Sequence, residues 1–421
     1  MCRPSDLINM HHRTGSRTLP RRRIGAAAAG RYIAALSAAS LPAPRPTPRM
    51  LRPRFAARLL AVLLLASCAP PKTVVPRGAA PAADPPRGTV VHDTVRSEAL
   101  RRNRLGDPAD RAVTVYLPPS YGTSRRGLYP TVYLLHGFDG GPEQWAGERM
   151  RLPRAMDSLA AAGAVREMIV VMPDGRNAFG GSFFANSVST GRWEDFLVRD
   201  VVRHVDRRYR TVRSAAGRGI AGWSMGGHAA LRLAGRHPEV FGAAYGLSPC
   251  CLGDLWRDFS AESEAGTRLW KEAAAARDRE ALARTGFHAR LALAIAAFAS
   301  PDSVHPQFGL ILPYFGGPSG LSRSRGAYDR WSMVSPELMV ARHRHGFARL
   351  RGIAFDAGTE DGFRHIPSST RALSDALTRE GIPHTFEPYA GTHGSHVAGR
   401  LRTHVLPFLS ARLAGRPSGM R

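Results

Sequence analysis

A glycine-rich turn followed by a helix-forming run constrains the fold of this chain more than any other stretch. Residues 222–226 read Gly-Trp-Ser-Met-Gly, the short run 218–220 before them could end a buried strand, and residues 229–234 are strong helix formers. Strand, sharp turn and helix in this order are typical of a nucleophile elbow, whose strained serine needs small neighbours. We therefore take Ser224 as a candidate nucleophile; the alternative is a glycine-rich turn with an incidental serine.

Apolar runs bounded by glycine and proline alternate with helical patterns from residue 89 to residue 413. We predict strands at 89–95, 111–117, 131–135, 167–172, 218–220, 241–248, 351–356 and 384–389, and helices at 193–209 and 370–379 and at the end of the domain. Several of these runs are uninterrupted, which is typical of strands buried on both faces. The alternation predicts an α/β fold with a mainly parallel central sheet flanked by helices.

Residues 250–349 differ from this pattern because they are alanine-rich and helical. The clearest helical stretches are 271–283 and 289–298, and three prolines interrupt the segment after them. We predict a helical insertion above the sheet that forms a cap over the site. Cys250 and Cys251 are neighbours in the sequence, and a disulfide between adjacent residues is strained, so we expect two thiols or pairing elsewhere.

A serine hydroxyl needs an imidazole to accept its proton and a carboxylate to hold that imidazole. In the α/β-hydrolase arrangement the serine, the acid and the histidine follow one another in this order, each after an inner strand. Here Ser224 is followed by an acidic loop at residues 356–361 and then by His393. The candidate acids in the loop are Asp356, Glu360 and Asp361.

The glycine-rich residues 136–141 follow the predicted inner strand 131–135, at the end of a strand where α/β sheets bind ligands. In hydrolases of this type such a loop and the residue after the nucleophile each donate a backbone N–H to a developing oxyanion. The candidates are the N–H groups of Phe138 and Met225. Three aromatic residues are candidates for the substrate pocket, although core packing is equally open for each: Trp145, Phe183 and Trp223.

Residues from about 89 to 412 resemble the esterase D-like family of α/β-hydrolases, which includes feruloyl and acetylxylan esterases, enterochelin esterases, S-formylglutathione hydrolases and antigen 85 mycolyltransferases. The resemblance rests on VTVYLPPSY at 113–121, YLLHGF at 133–138, VMPDG at 171–175, residues 193–210, AGWSMGG at 221–227, DAGTEDGF at 356–363 and GTH at 391–393. It implies the α/β-hydrolase fold, with Ser224 as nucleophile, His393 as general base and Asp361 as acid. It also implies a serine carboxylic ester hydrolase that forms an acyl-enzyme on a small-molecule or carbohydrate-linked ester, without a cofactor.

Two other interpretations stay open, and a third is disfavoured. An acyltransferase of the mycolyltransferase type would use the same residues but pass the acyl group to an alcohol. A catalytically silent, surface-anchored binding protein would have the hydrolase fold without the activity. His393 and His396 could ligate a metal, but no carboxylate or cysteine stands at a helpful spacing, so we predict no metal site.

Residues 50–67 predict a secretory signal peptide, with arginines first, then the apolar residues 59–65 and small residues at the end. The stretch is too short to span a membrane. Its end resembles the lipobox of bacterial lipoproteins, in which Cys68 would be diacylated; the alternative is an ordinary signal peptide with a chance cysteine. We expect export and lipid attachment to a bacterial membrane, on its periplasmic or extracellular side.

The flanking segments are expected to lie outside the folded domain. Residues 1–49 read as a disordered upstream extension that is not native, and residues 414–421 as a disordered tail. Residues 68–88 are rich in proline and alanine and would form a tether between anchor and domain.

The formal net charge of +26 raises the possibility of nucleic-acid binding. Residues 1–67, however, carry twelve arginines against the single acid Asp6, so much of the excess lies outside the predicted domain. The remaining basic residues are scattered, and no helix-turn-helix pattern, zinc-finger spacing or basic stripe with interleaved aromatic residues is present. We therefore predict that nucleic acid is not a partner.

Overall fold

A continuous eight-stranded sheet organises the computed structural model, which describes residues 86–317 and 320–415. Its strands are β1 Thr89–Arg96, β2 Asp110–Leu117, β3 Thr131–Leu135, β4 Ile169–Pro173, β5 Arg218–Trp223, β6 Ala243–Leu247, β7 Gly352–Gly358 and β8 Thr385–Tyr389. They lie in the order β1-β2-β4-β3-β5-β6-β7-β8. The pairs β1–β2 and β2–β4 are antiparallel and the other neighbours are parallel, which confirms the predicted mainly parallel sheet.

Some predicted segments lie outside the described residues. These are the upstream extension, the signal peptide, the lipidation candidate Cys68, the tether up to residue 85 and the tail from residue 416. Within the described ranges, no helix is both long enough and apolar enough to cross a membrane.

Successive side chains of the inner strands face two separate apolar clusters. In β3, Tyr133 and Leu135 belong to one cluster, while Val132 and Leu134 belong to the other, and all four side chains are fully buried. This alternation follows from the two-residue period of a strand. Both faces of the sheet are therefore covered, as the uninterrupted apolar runs predicted.

Helices cover both faces of the sheet. The helix Met225–Arg236, here called the elbow helix, packs on β3, β5 and β6, and the helix Pro336–Ala348, here called the crossover helix, packs on the elbow helix and on His365–Arg379. The remaining α-helices are Ser120–Thr123, Glu143–Ala146, Leu152–Ala161, Trp193–Asp195, Val202–Arg208, Trp256–Phe259, Glu264–Ala275, Arg279–Ala283, Phe287–Ala299, Arg325–Ser332, Val397–Arg400 and Leu406–Arg412. Wider π turns occupy Phe196–Val201 and Leu401–Val405, and a short 3-10 helix occupies Ala215–Gly217.

Two predicted helices are interrupted in the structure. The helix expected at 193–209 contains the π turn Phe196–Val201, and the helix expected at 271–283 is divided between Glu264–Ala275 and Arg279–Ala283. The division has a local cause, because the Asp278 carboxylate accepts a hydrogen bond from the Ala281 N–H at 2.8 Å and so starts a new helix.

The segment between β6 and β7 holds five short helices, a small hairpin and the crossover helix in its described part. The hairpin pairs Tyr314–Gly317 with Gly320–Arg323. The helices are held together by an aromatic cluster, in which the ring of Trp256 stacks on Tyr328 at 4.0 Å. The crossover helix at the end of the segment flanks the sheet, because it packs directly on the elbow helix.

Glu194 has a different role from the helix capping that its first-turn position suggests. Its side chain is buried and accepts hydrogen bonds from Arg232 at 2.6 Å, Arg236 at 2.9 Å and His237 at 2.8 Å. Burial opposes its ionisation, but the bond from His237 and the charges of Arg232 and Arg236 outweigh burial and lower the pKa of Glu194. The carboxylate therefore joins the start of one helix to the end of the elbow helix.

Glu194→Gln is expected to lower the free energy of unfolding by about 3–5 kcal/mol at neutral pH, because it leaves Arg232, whose side chain is only 17% exposed, without a counter-charge. The pKa of Glu194 is lower in the folded state than in the unfolded state, so its stabilisation is complete above the unfolded pKa of 4.5 and is lost as the pH falls below that value. Urea unfolding at pH 6 and pH 3.5 should show the difference from wild type narrowing with acidity.

Glu239→Gln is the matched control for this measurement. Glu239 contacts the same His237 ring, at 3.0 Å, but its side chain is 59% exposed, so the change should stay within about 0.5 kcal/mol. Equal losses in the two variants would contradict a buried role for Glu194.

Candidate active site

Ser224 stands on the sharp turn between β5 and the elbow helix with φ 56° and ψ −116°, a strained backbone for a residue with a side chain. The neighbouring glycines are required by close backbone contacts. A Cβ on Gly222 would lie 2.4 Å from the carbonyl carbon of Gly226, and a Cβ on Gly226 would lie 2.3 Å from the oxygen of Leu135. The turn therefore has the geometry of a nucleophile elbow.

The structure brings together the side chains of Ser224, His393 and Asp361, which come from loops after β5, β8 and β7. His393 Nε2 is 2.9 Å from Ser224 Oγ, and His393 Nδ1 is 2.8 Å from Asp361 Oδ2. Asp361 is buried, and its second oxygen accepts the Phe363 N–H at 2.9 Å. With the Nδ1–H donated to Asp361, the Nε2 atom of His393 is free to accept the serine proton.

The other two acids of the loop lie elsewhere. The carboxylate of Asp356 is buried and accepts hydrogen bonds from Arg400 at 2.7 Å and from Tyr245 at 3.0 Å. Burial raises the pKa of Asp356, against the opposing charge of Arg400. Glu360 is exposed, and its side chain has no hydrogen bond to His393. Of the three candidates, the structure therefore places only Asp361 beside the histidine.

Aromatic side chains hold the His393 ring from two sides. The Trp223 Nε1–H donates to the backbone oxygen of His393 at 3.0 Å, and the two rings are 5.1 Å apart. The ring of Phe363 meets the imidazole edge-on at 5.0 Å. These contacts restrict movement of the imidazole between the serine and the acid.

The two candidate oxyanion donors are both unengaged. The Phe138 N–H meets no acceptor within the described residues, while its neighbours Gly137 and Asp139 donate to Gln144 and Gly180. Met225 is the first residue of the elbow helix, where an N–H has no acceptor within the helix. Both N–H groups are thus available to a ligand near Ser224.

His136 orients this loop, a role that the sequence analysis did not identify. It is fully buried, and its Nδ1 is 2.7 Å from the Gly137 oxygen while its Nε2 accepts the Gly175 N–H at 2.8 Å. Burial lowers the pKa of His136, which keeps the ring neutral, with one donor and one acceptor nitrogen. The signal for this role was the position of His136 directly between β3 and the glycine-rich loop.

The insertion also holds the loop after β3. Arg290 donates from both terminal nitrogens to the Asp139 carboxylate, at 2.5 and 2.6 Å. The ring of Phe287, in the same helix, meets the ring of Phe138 edge-on at 5.4 Å. A bidentate arginine–carboxylate pair fixes orientation as well as distance, so the insertion contributes to the position of the Phe138 N–H.

A small pocket of about 130 Å³ opens at Ser224 and His393. Its wall includes the predicted Trp223, together with Phe138, Cys250, Cys251, Phe287, Leu291, Phe363 and His365. The two cysteines are buried free thiols. The pocket is mainly apolar and matches a compact apolar group beside the serine.

Two predicted pocket residues lie elsewhere, and these expectations are corrected. Trp145 is fully buried in the apolar cluster on the opposite face of the sheet. Phe183 is also fully buried, and its ring packs on Phe298 at 4.9 Å and on His228 at 5.6 Å. Both side chains are packed in the hydrophobic core.

His365 is a pocket residue that the sequence analysis did not identify. Its Nδ1 is 2.6 Å from the Asp258 carboxylate, and its Nε2 accepts the Cys251 N–H at 3.0 Å. Asp258 comes from the insertion, so no local pattern connects the two residues. Among the described residues, no three histidine, cysteine or acidic side chains come together as a metal site would require.

Comparison with known proteins shows that part of this chain is similar to esterases. The Esterase family model, described as "Putative esterase", matches residues 106–300. An esterase of Mycobacterium tuberculosis is 35% identical over 153 residues, which cover 35% of this chain and 30% of that protein. An endo-1,4-beta-xylanase/feruloyl esterase of Xylanibacter ruminicola is 32% identical over 138 residues, 31% of this chain and 18% of that protein. The match thus spans less than a third of either relative.

A solved structure shows the same fold over a longer range. A ferulic acid esterase superposes with a TM-score of 0.52 at 22% identity, covering 78% of this chain and 99% of the other. The predicted α/β-hydrolase fold is thereby confirmed. Residues 106–300 of this chain match the Esterase family model, within a domain that has the α/β-hydrolase fold.

Proposed function

We propose that this protein is a serine carboxylic ester hydrolase in which Ser224, His393 and Asp361 form the catalytic triad. The observation that carries the proposal is the unbroken chain of hydrogen bonds from Ser224 Oγ through the imidazole to Asp361, with distances of 2.9 and 2.8 Å. This series of hydrogen bonds ends at Ser224 in a pocket, beside two backbone N–H groups that have no acceptor among the described residues. The match of residues 106–300 to the Esterase family model and the similarity to an esterase of Mycobacterium tuberculosis support the same reaction class.

The reaction follows from these positions. Ser224 Oγ attacks the ester carbonyl carbon while His393 Nε2 takes the hydroxyl proton, and the N–H groups of Phe138 and Met225 stabilise the negative oxygen. The imidazolium, stabilised by Asp361, then protonates the leaving alcohol as its bond to the carbonyl carbon breaks. Water attacks the acyl-enzyme and gives its proton to His393, and the acid leaves as Ser224 recovers its hydrogen.

The proposed substrates are small-molecule or carbohydrate-linked esters with a compact, apolar acyl group. The pocket beside Ser224 is narrow, and Phe138, Phe287 and Phe363 give it aromatic walls. One relative is named as a feruloyl esterase. Esters of aromatic acids such as ferulate are therefore the first to assay, beside acetyl and formyl esters.

A fluorophosphonate probe tests the proposal directly, because it reacts only with an activated serine. We expect labelling of the wild type at Ser224 and none in Ser224→Ala. Ser248→Ala is the matched control, since Ser248 is also buried at the end of an inner strand with positive φ, and it should label normally. Labelling that persists in Ser224→Ala, or is absent from the wild type, would contradict the triad and favour a silent scaffold.

Product analysis separates hydrolysis from acyl transfer. With an ester substrate and an added sugar or alcohol, a hydrolase releases the free acid as the main product. Transfer to the added acceptor faster than to water would instead identify an acyltransferase.

We also propose that the protein is exported and attached to a bacterial membrane through a lipid on Cys68. The support is the sequence alone: the arginines of the signal, the apolar residues 59–65 and the small residues before the cysteine. Incorporation of a radioactive fatty acid into the full-length chain, lost in Cys68→Ser, is the expected result. Equal incorporation by the variant would contradict the anchor.

A further inference from the structure

A second and larger cavity lies beside the elbow helix, on the side facing the crossover helix. Its volume is about 470 Å³, compared with about 130 Å³ for the pocket at Ser224. The two share no lining residue. Cavities of this size suit small organic ligands, and nothing in the reaction at Ser224 requires this one.

The cavity carries an excess of positive charge. Four arginines line it, Arg232 and Arg236 from the elbow helix and Arg330 and Arg342 from the surrounding helices, against the single carboxylate of Glu194. Glu194 is already occupied by Arg232 and Arg236. At least two positive charges are therefore uncompensated by acids of the cavity wall.

Arg330 and Arg342 are the free cations of this wall. Both are exposed, and within the described part of the chain neither side chain makes an ion pair or hydrogen bond. The Nε of Arg232 is also buried without a hydrogen-bond partner among these residues. Guanidinium groups that lack partners are donors for a planar carboxylate or a phosphate.

The positive charges of the elbow-helix arginines act on His343, which also lines the cavity. Burial lowers the pKa of His343, and the charges of Arg236 and Arg232 lower it further. His343 interrupts the crossover helix, with φ −120° and ψ 20°. The interior of the cavity is thus electropositive. It lies next to the point at which the crossover helix departs from helical geometry.

Most of the remaining wall residues are apolar. Phe298 comes from the insertion, and Val334, Leu338 and Met339 come from the crossover helix and the turn before it. A small inorganic anion would leave this surface in contact with water, whereas a ligand with a hydrocarbon part would cover it.

We propose that this cavity binds an amphipathic anion, a carboxylate or phosphate monoester carried on an apolar chain, with its head group between Arg330 and Arg342. The proposal rests on the match of charge and apolar surface within one cavity, and it holds whether or not Ser224 is catalytic. Carboxylate and phosphate are alternative forms of the same head-group chemistry, which the experiment distinguishes.

Isothermal titration calorimetry on the full-length chain tests the proposal with octanoate, octyl phosphate, octanol and inorganic phosphate. We expect octanoate or octyl phosphate to bind, and the one that binds more tightly identifies the preferred head group. Octanol and inorganic phosphate should bind at least tenfold more weakly than that ligand. The variant Arg330→Gln/Arg342→Gln should weaken binding of the preferred anion about tenfold or more, since it removes charged hydrogen bonds.

Arg349→Gln is the matched control. Arg349 is exposed, ends the same crossover helix and does not line the cavity, so affinity should change less than about twofold. Thermal melting should show that all variants fold, because the replaced side chains make no ion pairs with the residues that the structure describes. The proposal is overturned if octanol or inorganic phosphate binds as tightly as the amphipathic anions, if none binds, or if the double variant keeps wild-type affinity.

Discussion

Ser224→Ala is expected to lower kcat for ester hydrolysis by about 10⁶-fold, and His393→Ala by a similar factor. The reason is that the hydroxyl and the imidazole act as one unit: without the histidine the serine keeps its proton, and without the serine the histidine has no proton to accept. The double variant Ser224→Ala/His393→Ala should therefore be no slower than either single variant. Steady-state rates with a nitrophenyl ester provide the measurement.

The double variant distinguishes this account from its rivals. If the two losses multiplied, the residues would contribute independently and the 2.9 Å contact between them would have no catalytic meaning. Unchanged melting temperatures would show that the losses are chemical, since each replacement only shortens a side chain at the pocket.

Asp361→Asn is expected to lower kcat by about 10⁴-fold, the second-largest effect that we predict. An asparagine can present an N–H where the carboxylate accepted one. The imidazole then accepts at Nδ1 and carries its own proton on Nε2, so Nε2 can no longer take the serine proton. The buried site also loses the negative charge that stabilises the imidazolium. The measurement is kcat on the same ester across pH 6–9, with folding checked by circular dichroism.

Glu360→Gln supplies the control, because Glu360 precedes Asp361 in the same loop and is exposed. Its activity should remain within about threefold of wild type. A larger loss in Glu360→Gln than in Asp361→Asn would reverse the assignment. Asp356 is unsuitable for this comparison, because its removal would leave the guanidinium of Arg400 without its buried partner.

The sheet was predictable because its inner strands are buried on both faces. Residues 131–135 are all apolar or β-branched, and the strand β3 covers the same residues. The positions of Ser224 and His393 were also predictable, because the elbow needs glycines and the chain order of serine, acid and histidine follows the order of strands. The choice among the three acids depended on family resemblance, since residue type alone does not say which carboxylate turns toward the pocket.

The aromatic pocket residues were harder to predict, for a physical reason. Trp145 follows the glycine-rich loop closely, but its short helix turns the indole into the cluster on the far side of the sheet. The hydrophobic effect favours burial of an indole or phenyl ring both in the core and in a pocket. Residue type alone therefore cannot tell a core position from a pocket position. Trp223 was correctly placed because its position next to Ser224 constrains it.

Contacts between distant parts of the chain were missed for a related reason. Glu194 satisfies a local rule for helix first turns, and nothing nearby reveals that Arg232, Arg236 and His237 will surround it. The same holds for the pair Arg290–Asp139, which are separated by 151 residues. Periodicity reports local structure, whereas these contacts depend on the final packing.

The pair Arg290–Asp139 has a consequence for how the domain could be trimmed. The segment between β6 and β7 is fastened by this arginine to the loop that presents the Phe138 N–H. Deleting that segment would therefore not simply yield a smaller enzyme with a more open pocket at Ser224. It would release the loop that carries the Phe138 N–H, one of the two proposed oxyanion donors, so a minimal version of this domain must either retain the arginine or hold that loop by another contact.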